Sequence, residues 1–205
     1  MTQNTDRLAD QLGKAGAFFF SRGWVPATSG NFSARIDERE CLMTASGRHK
    51  GYLCHADFLR VEIASAQSLE EAKTPSAEAA LHTLIYQRFA EVGAVLHTHS
   101  VPATVLSRLA HSELRLEEYE LLKAFEGVDT HETAVDIPVL GNDQDIRQLA
   151  IQVDAHLRAN PEMVGFLIRG HGLYTWGARV ADAVRHIEAL EFMFECELSQ
   201  RRMTS

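Results

Sequence analysis

The 205-residue sequence holds only three cysteines, Cys41, Cys54 and Cys196, and no CxxC pair. An odd and scattered set excludes a disulfide framework and a thiolate metal site, so all three read as reduced, small apolar side chains. Positive charge is also scarce: 20 lysines and arginines face 28 acidic residues, for a formal net charge of -8 at pH 7. Such a chain has no field to draw in a phosphate backbone or an anionic membrane, so neither nucleic acid nor a membrane is expected as a partner. A phosphorylated metabolite stays open, because local backbone donors, hydroxyls and a lysine can hold one regardless of net charge. Long apolar runs are missing as well. The opening MTQNTDRLADQLGKAG alternates polar and apolar residues, which argues against a signal peptide or a membrane span and leads to the expectation of a cytoplasmic protein. No repeat or low-complexity tract is present.

A hydrophobic content of 45% over this length is enough for one sizeable core, and residues 1–205 read as a single domain. Leu8, Leu12, Ala15 and Phe19 stand at helical spacing and predict an amphipathic helix over residues 5–22, stopped by Gly23. Short β-type runs follow at 40–44 and 58–63. They flank the glycine-bearing SGRHKG, which together with the turn-rich VPATSGNFSARI makes a pair of loops suited to face one ligand. Thr74 before Pro75 reads as an N-cap with proline at the first helical position, which puts Glu78 in the first turns of a helix reaching about residue 90. Further on, the pattern predicts strands at 93–97, 135–139 and 164–168, with helices at 102–110, at 143–158 and from about 179 onward. The stretch 116–125 is acidic and then apolar, and the pattern assigns it no element. GFLIRGHGLYTWG reads as a hairpin, so the expectation is an α/β chain with a mixed sheet covered by helices.

Side chains alternate along a strand, so His97 and His99 of LHTHS project from one side while Thr98 points away. Gly170-His171-Gly172 offers a third imidazole where flanking glycines let the backbone turn closely. Three neutral nitrogens leave one position open on a tetrahedral zinc, as in a catalytic rather than a structural site, although manganese or iron would accept the same ligand type. The other seven histidines read as surface or helix residues; His82, one turn beyond Glu78, is the one placed to support the site from behind.

TSGNFS, TASGRHKG, TPSAE, VLHTHS and RGHGLYTWG occur in an order and spacing that resemble the class II aldolase and adducin-type family over nearly the whole chain. The resemblance implies a three-layer α/β/α fold with a central mixed, largely antiparallel sheet. It also implies one zinc ion per subunit on His97, His99 and His171, a homotetramer with active sites near its interfaces, and a small sugar phosphate as substrate. The family's phosphate cradle falls on Thr28, Gly30, Asn31, Ser46, Gly47 and Ser76. Ala77 stands where sugar-phosphate aldolases often carry a second serine, and Lys50 is the candidate to compensate as a point charge. Glu78 matches the carboxylate that aldolases keep near the metal. Glu120, in EEYELLK, falls where aldolases bring a Tyr or Asp from an adjacent subunit and where the family's dehydratases have a glutamate. The pairing of SGRHKG with RGHGLYTWG is most similar to those dehydratases, which implies water elimination from a ketose phosphate; Glu120 and Glu78 compete for the acid/base role, either one able to take the C3 proton, and the resemblance favours Glu120. The alternatives are a sugar-phosphate aldolase and a non-catalytic adducin-like interaction module. Aldolases commonly use a tyrosine in a C-terminal tail, whereas the last tyrosine here is Tyr174.

Overall fold

Alternation along the strands sorts the apolar side chains into two sets. Leu42, Leu96, Leu167 and Leu173 belong to one buried cluster, while their strand neighbours Cys41, Met43, Val95, Phe166, Ile168, Tyr174 and Trp176 belong to another. A sheet that is apolar on both faces has to be covered on both. The computed structural model, which describes residues 2–204, has that arrangement.

In chain order the elements are α1 (Thr2–Ser21), β1 (Asn31–Arg35), β2 (Glu40–Thr44), β3 (Phe58–Glu62), α2 (Ala79–Arg88), β4 (Ala94–Thr98), α3 (Val101–Leu109), β5 (Glu113–Glu117), β6 (Ala134–Leu140), α4 (Ile146–Ala159), β7 (Gly165–Ile168), β8 (Gly172–Gly177) and α5 (Val180–Thr204). The strands form one eight-stranded sheet in the order β3-β2-β1-β4-β8-β7-β6-β5. Every neighbouring pair is antiparallel except β6 and β7, which run parallel. Leu8, Leu12 and Phe19 of α1, Ala103 and Leu106 of α3, and Ile187, Leu190 and Phe194 of α5 close one face. Leu81 and Ile85 of α2 and Leu149, Val153 and Leu157 of α4 close the other. The fold is therefore a three-layer α/β/α sandwich around a mixed, largely antiparallel sheet.

Three local readings change. Pro75 does not open a helix. It forms an isolated antiparallel bridge with Ala45, and the Thr74 carbonyl accepts the Ser46 N–H, because a residue preceding proline is biased toward extended backbone. Helix α2 starts later, with Glu78 at its N-cap position and no side-chain cap, so the Glu78 carboxylate remains available to the site. The stretch left unassigned, 116–125, takes in the last two residues of the edge strand β5, whose charged ELRLE buries only Leu114 and Leu116, and a 3-10 turn at Glu120–Ala124. Helix α4 begins at Ile146 rather than 143, since Asp145 caps it by accepting the Arg147 N–H. This leaves Asn142–Gln144 as a polar loop.

Candidate active site

Strand β4 lies between β1 and β8, with His97 in register with Asn31 on one side and Tyr174 on the other. Its imidazole is fully buried and donates Nδ1–H to the Leu173 carbonyl at 2.9 Å, which leaves the Nε2 lone pair facing the cleft. Just past the end of β4, the His99 N–H donates to the Trp24 carbonyl at 2.7 Å. His99 Nε2 comes to 2.8 Å from His97 Nε2, and His171 Nε2 lies 3.2 Å from that same atom. Thr98, between them, points to the other face and donates to Glu191 Oε1 at 3.1 Å. Glu191 is buried, and burial pushes its carboxyl up to about 7.

His171 ends the turn that joins β7 to β8. Arg169 anchors that turn by donating to the carbonyls of Ser107, Ala110 and His111 at the end of α3, and Thr104 Oγ1 donates to the His171 carbonyl. Gly172 is required by closeness: a Cβ there would sit 2.0 Å from the Thr98 oxygen. Gly30 is required twice over, by a φ of +75° and by the His97 carbonyl, 2.6 Å from where a Cβ would stand. Both glycines let neighbouring backbone press against the strand that presents the histidines.

Burial, and then the neighbouring His171, hold His97 well below the ordinary histidine range; burial pushes His99 down to about 2. These imidazoles are therefore neutral at ordinary pH. The donor atoms of His97, His99 and His171 all lie within 4.8 Å of one another. Three imidazoles converging at the floor of an open cleft fit a transition-metal ion, and the tautomer of His97 is already set for it.

Glu78 stands beside the cluster, with Oε2 3.5 Å from His97 Nε2 and Oε1 3.4 Å from His171 Nε2. Asn31 Nδ2 donates to Glu78 Oε2 at 2.7 Å. His82 is fully buried and reaches Glu78 indirectly, since its Nε2 lies 2.5 Å from Asn31 Oδ1. Burial pushes its pKa down to about 4.

Thr28, Gly30, Asn31, Ser46, Gly47, Lys50 and Ser76 line one cleft of about 380 Å³ together with Glu78, His99 and His171. The structure thus gathers the two glycine-bearing loops, Ser76–Glu78, His99 and His171 around one cavity, with His97 buried directly behind the two histidines. Lys50 is buried and donates Nζ hydrogens to the Thr28 carbonyl at 2.7 Å and the Arg48 carbonyl at 2.5 Å, so it ties one loop to the other. Burial lowers its pKa to about 8. Asn142, Asp143, Gln144, Ile146 and Leu149 also line the cleft, and Asn142 Oδ1 lies 3.4 Å from His171 Nδ1. Sequence reasoning missed this wall. Its one signal was the polar NDQD run ahead of an apolar helix. Glu120 is not brought to the cleft within the chain. Its side chain is 71% exposed and pairs with Lys123 at 2.7 Å and His131 at 3.7 Å, and Lys123 holds its carboxyl below the usual range.

The family model for the class II aldolase and adducin N-terminal domain matches residues 10–198. The chain is 56% identical over 199 residues to methylthioribulose-1-phosphate dehydratase of Pseudomonas aeruginosa, covering 97% of each chain. It is 55% identical over 202 residues to the enzyme of the same name from Pseudomonas fluorescens, covering 98% of this chain and 97% of the relative. Among solved structures it resembles L-fuculose-1-phosphate aldolase from Thermus thermophilus with a TM-score of 0.79 and 27% identity over 98% of both chains. A sugar-phosphate aldolase from Thermotoga maritima shares the fold, with a TM-score of 0.69 and 20% identity over 100% of this chain and 97% of that one. With a family match that spans both helical layers, the whole sheet and all three converging histidines, the chain belongs to the class II aldolase and adducin N-terminal domain family.

Proposed function

We propose that this chain is a zinc-dependent methylthioribulose-1-phosphate dehydratase of methionine salvage, which converts 5-methylthioribulose 1-phosphate to 2,3-diketo-5-methylthiopentyl 1-phosphate and water. The observation that carries the reading is Glu78 seated 3.4–3.5 Å from two of the three converging histidines, at the floor of a cleft whose rim is rich in hydroxyl and backbone donors. The 56% identity over 97% of the chain to enzymes of that name supports the choice of substrate.

His97, His99 and His171 would hold one Zn²⁺ per subunit, and the bound ion would supply Lewis acidity toward the ketose oxygens. The hydroxyls of Thr28, Ser46 and Ser76 and the unobstructed backbone at Gly30 and Gly47 supply the inventory that binds the phosphate, whereas the Asn31 amide is engaged with Glu78 and His82. Lys50 braces the two loops and adds positive charge. Glu78 accepts the C3 proton of the ketose. The C4–O bond then breaks, and the departing hydroxide takes a proton to become water. The resulting enol tautomerises by moving a proton from the C3 oxygen to C4, which yields the diketone. We assign the proton delivered to the leaving hydroxyl to Glu120 of an adjacent subunit, in a homotetramer working in the cytoplasm.

The test is incubation of the purified zinc-loaded protein with 5-methylthioribulose 1-phosphate and, separately, with fuculose 1-phosphate. Diketone from the first and no aldehyde from the second is the expected result. Aldehyde release without diketone would move the chain to the aldolases.

A further inference from the structure

Behind Glu78, polar side chains form a line that leaves the cleft and enters the layer under α2. Asn31 Nδ2 stands 2.7 Å from Glu78 Oε2, and Asn31 Oδ1 stands 2.5 Å from His82 Nε2. His82 Nδ1 is 2.8 Å from Ser33 Oγ, which is 2.8 Å from the Tyr86 hydroxyl. Ser33 and His82 are fully buried, Tyr86 is 2% exposed and Asn31 5%, so solvent offers these groups little alternative partnership.

The direction of every bond in this line follows from its first member. An ionised carboxylate only accepts, so the Asn31 amide must turn its NH₂ toward Glu78. Its carbonyl oxygen then faces His82, and that nitrogen must carry the ring's single proton. The other ring nitrogen is left as an acceptor, which Ser33 fills with its hydroxyl hydrogen. Ser33 Oγ in turn accepts from Tyr86. Five side chains contributed by β1, α2 and the N-cap of α2 thus have one consistent assignment of hydrogens.

We propose that His82 is a positioning residue for the elimination: as the Nε2–H tautomer it locks the Asn31 amide so that Nδ2 presents Glu78 to the histidine cluster. Without that lock the Asn31 amide can rotate by half a turn and set its oxygen against the carboxylate, which displaces Glu78 from the substrate. The inference rests on the reading that Glu78 takes part in catalysis, but its first test does not depend on turnover.

That first test is long-range ¹H–¹⁵N correlation on zinc-loaded protein labelled with ¹⁵N-histidine, at neutral pH. A protonated Nε2 and a bare Nδ1 on His82 are expected; the opposite tautomer, or exchange between the two, overturns the proposal. The second test compares His82→Leu with His82→Gln, whose side-chain N–H can still reach Asn31 Oδ1. Loss of one hydrogen bond bearing on a charged group predicts that kcat of the leucine variant falls about 10- to 100-fold, with KM and zinc content nearly unchanged. The glutamine variant should recover most of the loss. A folded, zinc-loaded leucine variant with wild-type kcat, or a glutamine variant as impaired as the leucine one, overturns the proposal. If the leucine variant does not fold, or the wild-type protein does not turn over the ketose phosphate, the tautomer still decides.

Discussion

Tyr174 lies flat against His97, with ring centroids 4.0 Å apart and planes 13° from parallel, because the two residues are register partners on β8 and β4. Phe166, the register partner of Tyr174 on β7, stacks on its other side at 4.9 Å and 7°. Three adjacent strands therefore contribute one ring each to a buried pile whose last member is a candidate metal ligand. The plane of that imidazole is set by packing before any ion arrives, and its Nδ1 by the Leu173 carbonyl. Preorganisation of this kind is what a precise metal site needs.

Removing the middle of the pile should be costly. Tyr174→Ala is expected to lower stability by about 3–5 kcal/mol, as for other buried aromatic truncations, and to weaken metal binding by releasing His97. Urea unfolding and a zinc titration would measure the two effects. Tyr174→Phe keeps the stack and should bind zinc nearly as well; a phenylalanine variant that loses the metal as completely as the alanine variant would show that stacking is not what holds the ring.

Zinc should stabilise the folded chain, because an ion bound only by the native state adds about 4 kcal/mol at a thousandfold excess over its Kd. Stripping the ion with a chelator should lower the thermal midpoint, and re-adding zinc should restore it. In His99→Ala both responses should vanish. An unchanged zinc-dependent shift in that variant would remove His99 from the ligand set.

Gly172→Ala places a methyl group 2.0 Å from the Thr98 oxygen. The backbone of β8 must then move away from β4, carrying His171 with it. A stability loss of roughly 1–3 kcal/mol is expected from overpacking, together with a zinc affinity reduced more than at a comparably destabilised site remote from the cleft. Circular dichroism melts and a zinc titration would compare the two variants.

Acid should weaken the fold through His82. Its pKa is pushed down to about 4 in the folded chain, against an ordinary value of 6.5. Between those values the unfolded chain binds the extra proton and the folded chain does not. Its contribution is thus fully present above 6.5 and is lost as pH falls toward 4, amounting to roughly 3 kcal/mol at most. Urea midpoints of metal-free protein followed over this range should fall less steeply for His82→Gln than for the wild type; equal slopes would show that His82 contributes nothing to acid sensitivity.

Glu120 is exposed on the surface of its own chain, paired with Lys123. If it serves a neighbouring subunit, Glu120→Gln and Glu78→Gln should each be inactive alone while keeping zinc. Oligomers reassembled from a mixture of the two should regain a fraction of the activity, since some sites then receive one intact glutamate from each parent. A mixture as inactive as its components would place both carboxylates in one chain's site or remove Glu120 from the chemistry.

Much of this was legible in the amino-acid order. Alternation along LHTHS put two imidazoles on one side and Thr98 on the other, and the chain does the same although β4 itself ends at Thr98. The bounds of β2, and the start of the last helix to within a residue, followed from local pattern. Local periodicity reports which face a residue takes on its own element, and for these features that is the whole question. Partners on other elements are a different matter. That Asn31 would spend both ends of its amide on Glu78 and His82 depended on β1 lying next to β4 with α2 packed across them. The bridge of Pro75 to Ala45, the approach of Asn142 to His171 and the position of Glu120 outside the cleft also arise from packing between distant segments. The sequence by itself determined the chemical inventory of the site and the faces on which it is displayed. Only the tertiary structure decided who meets whom, because strand order sets distances between residues such as His97 and His171 that no repeat along the chain encodes.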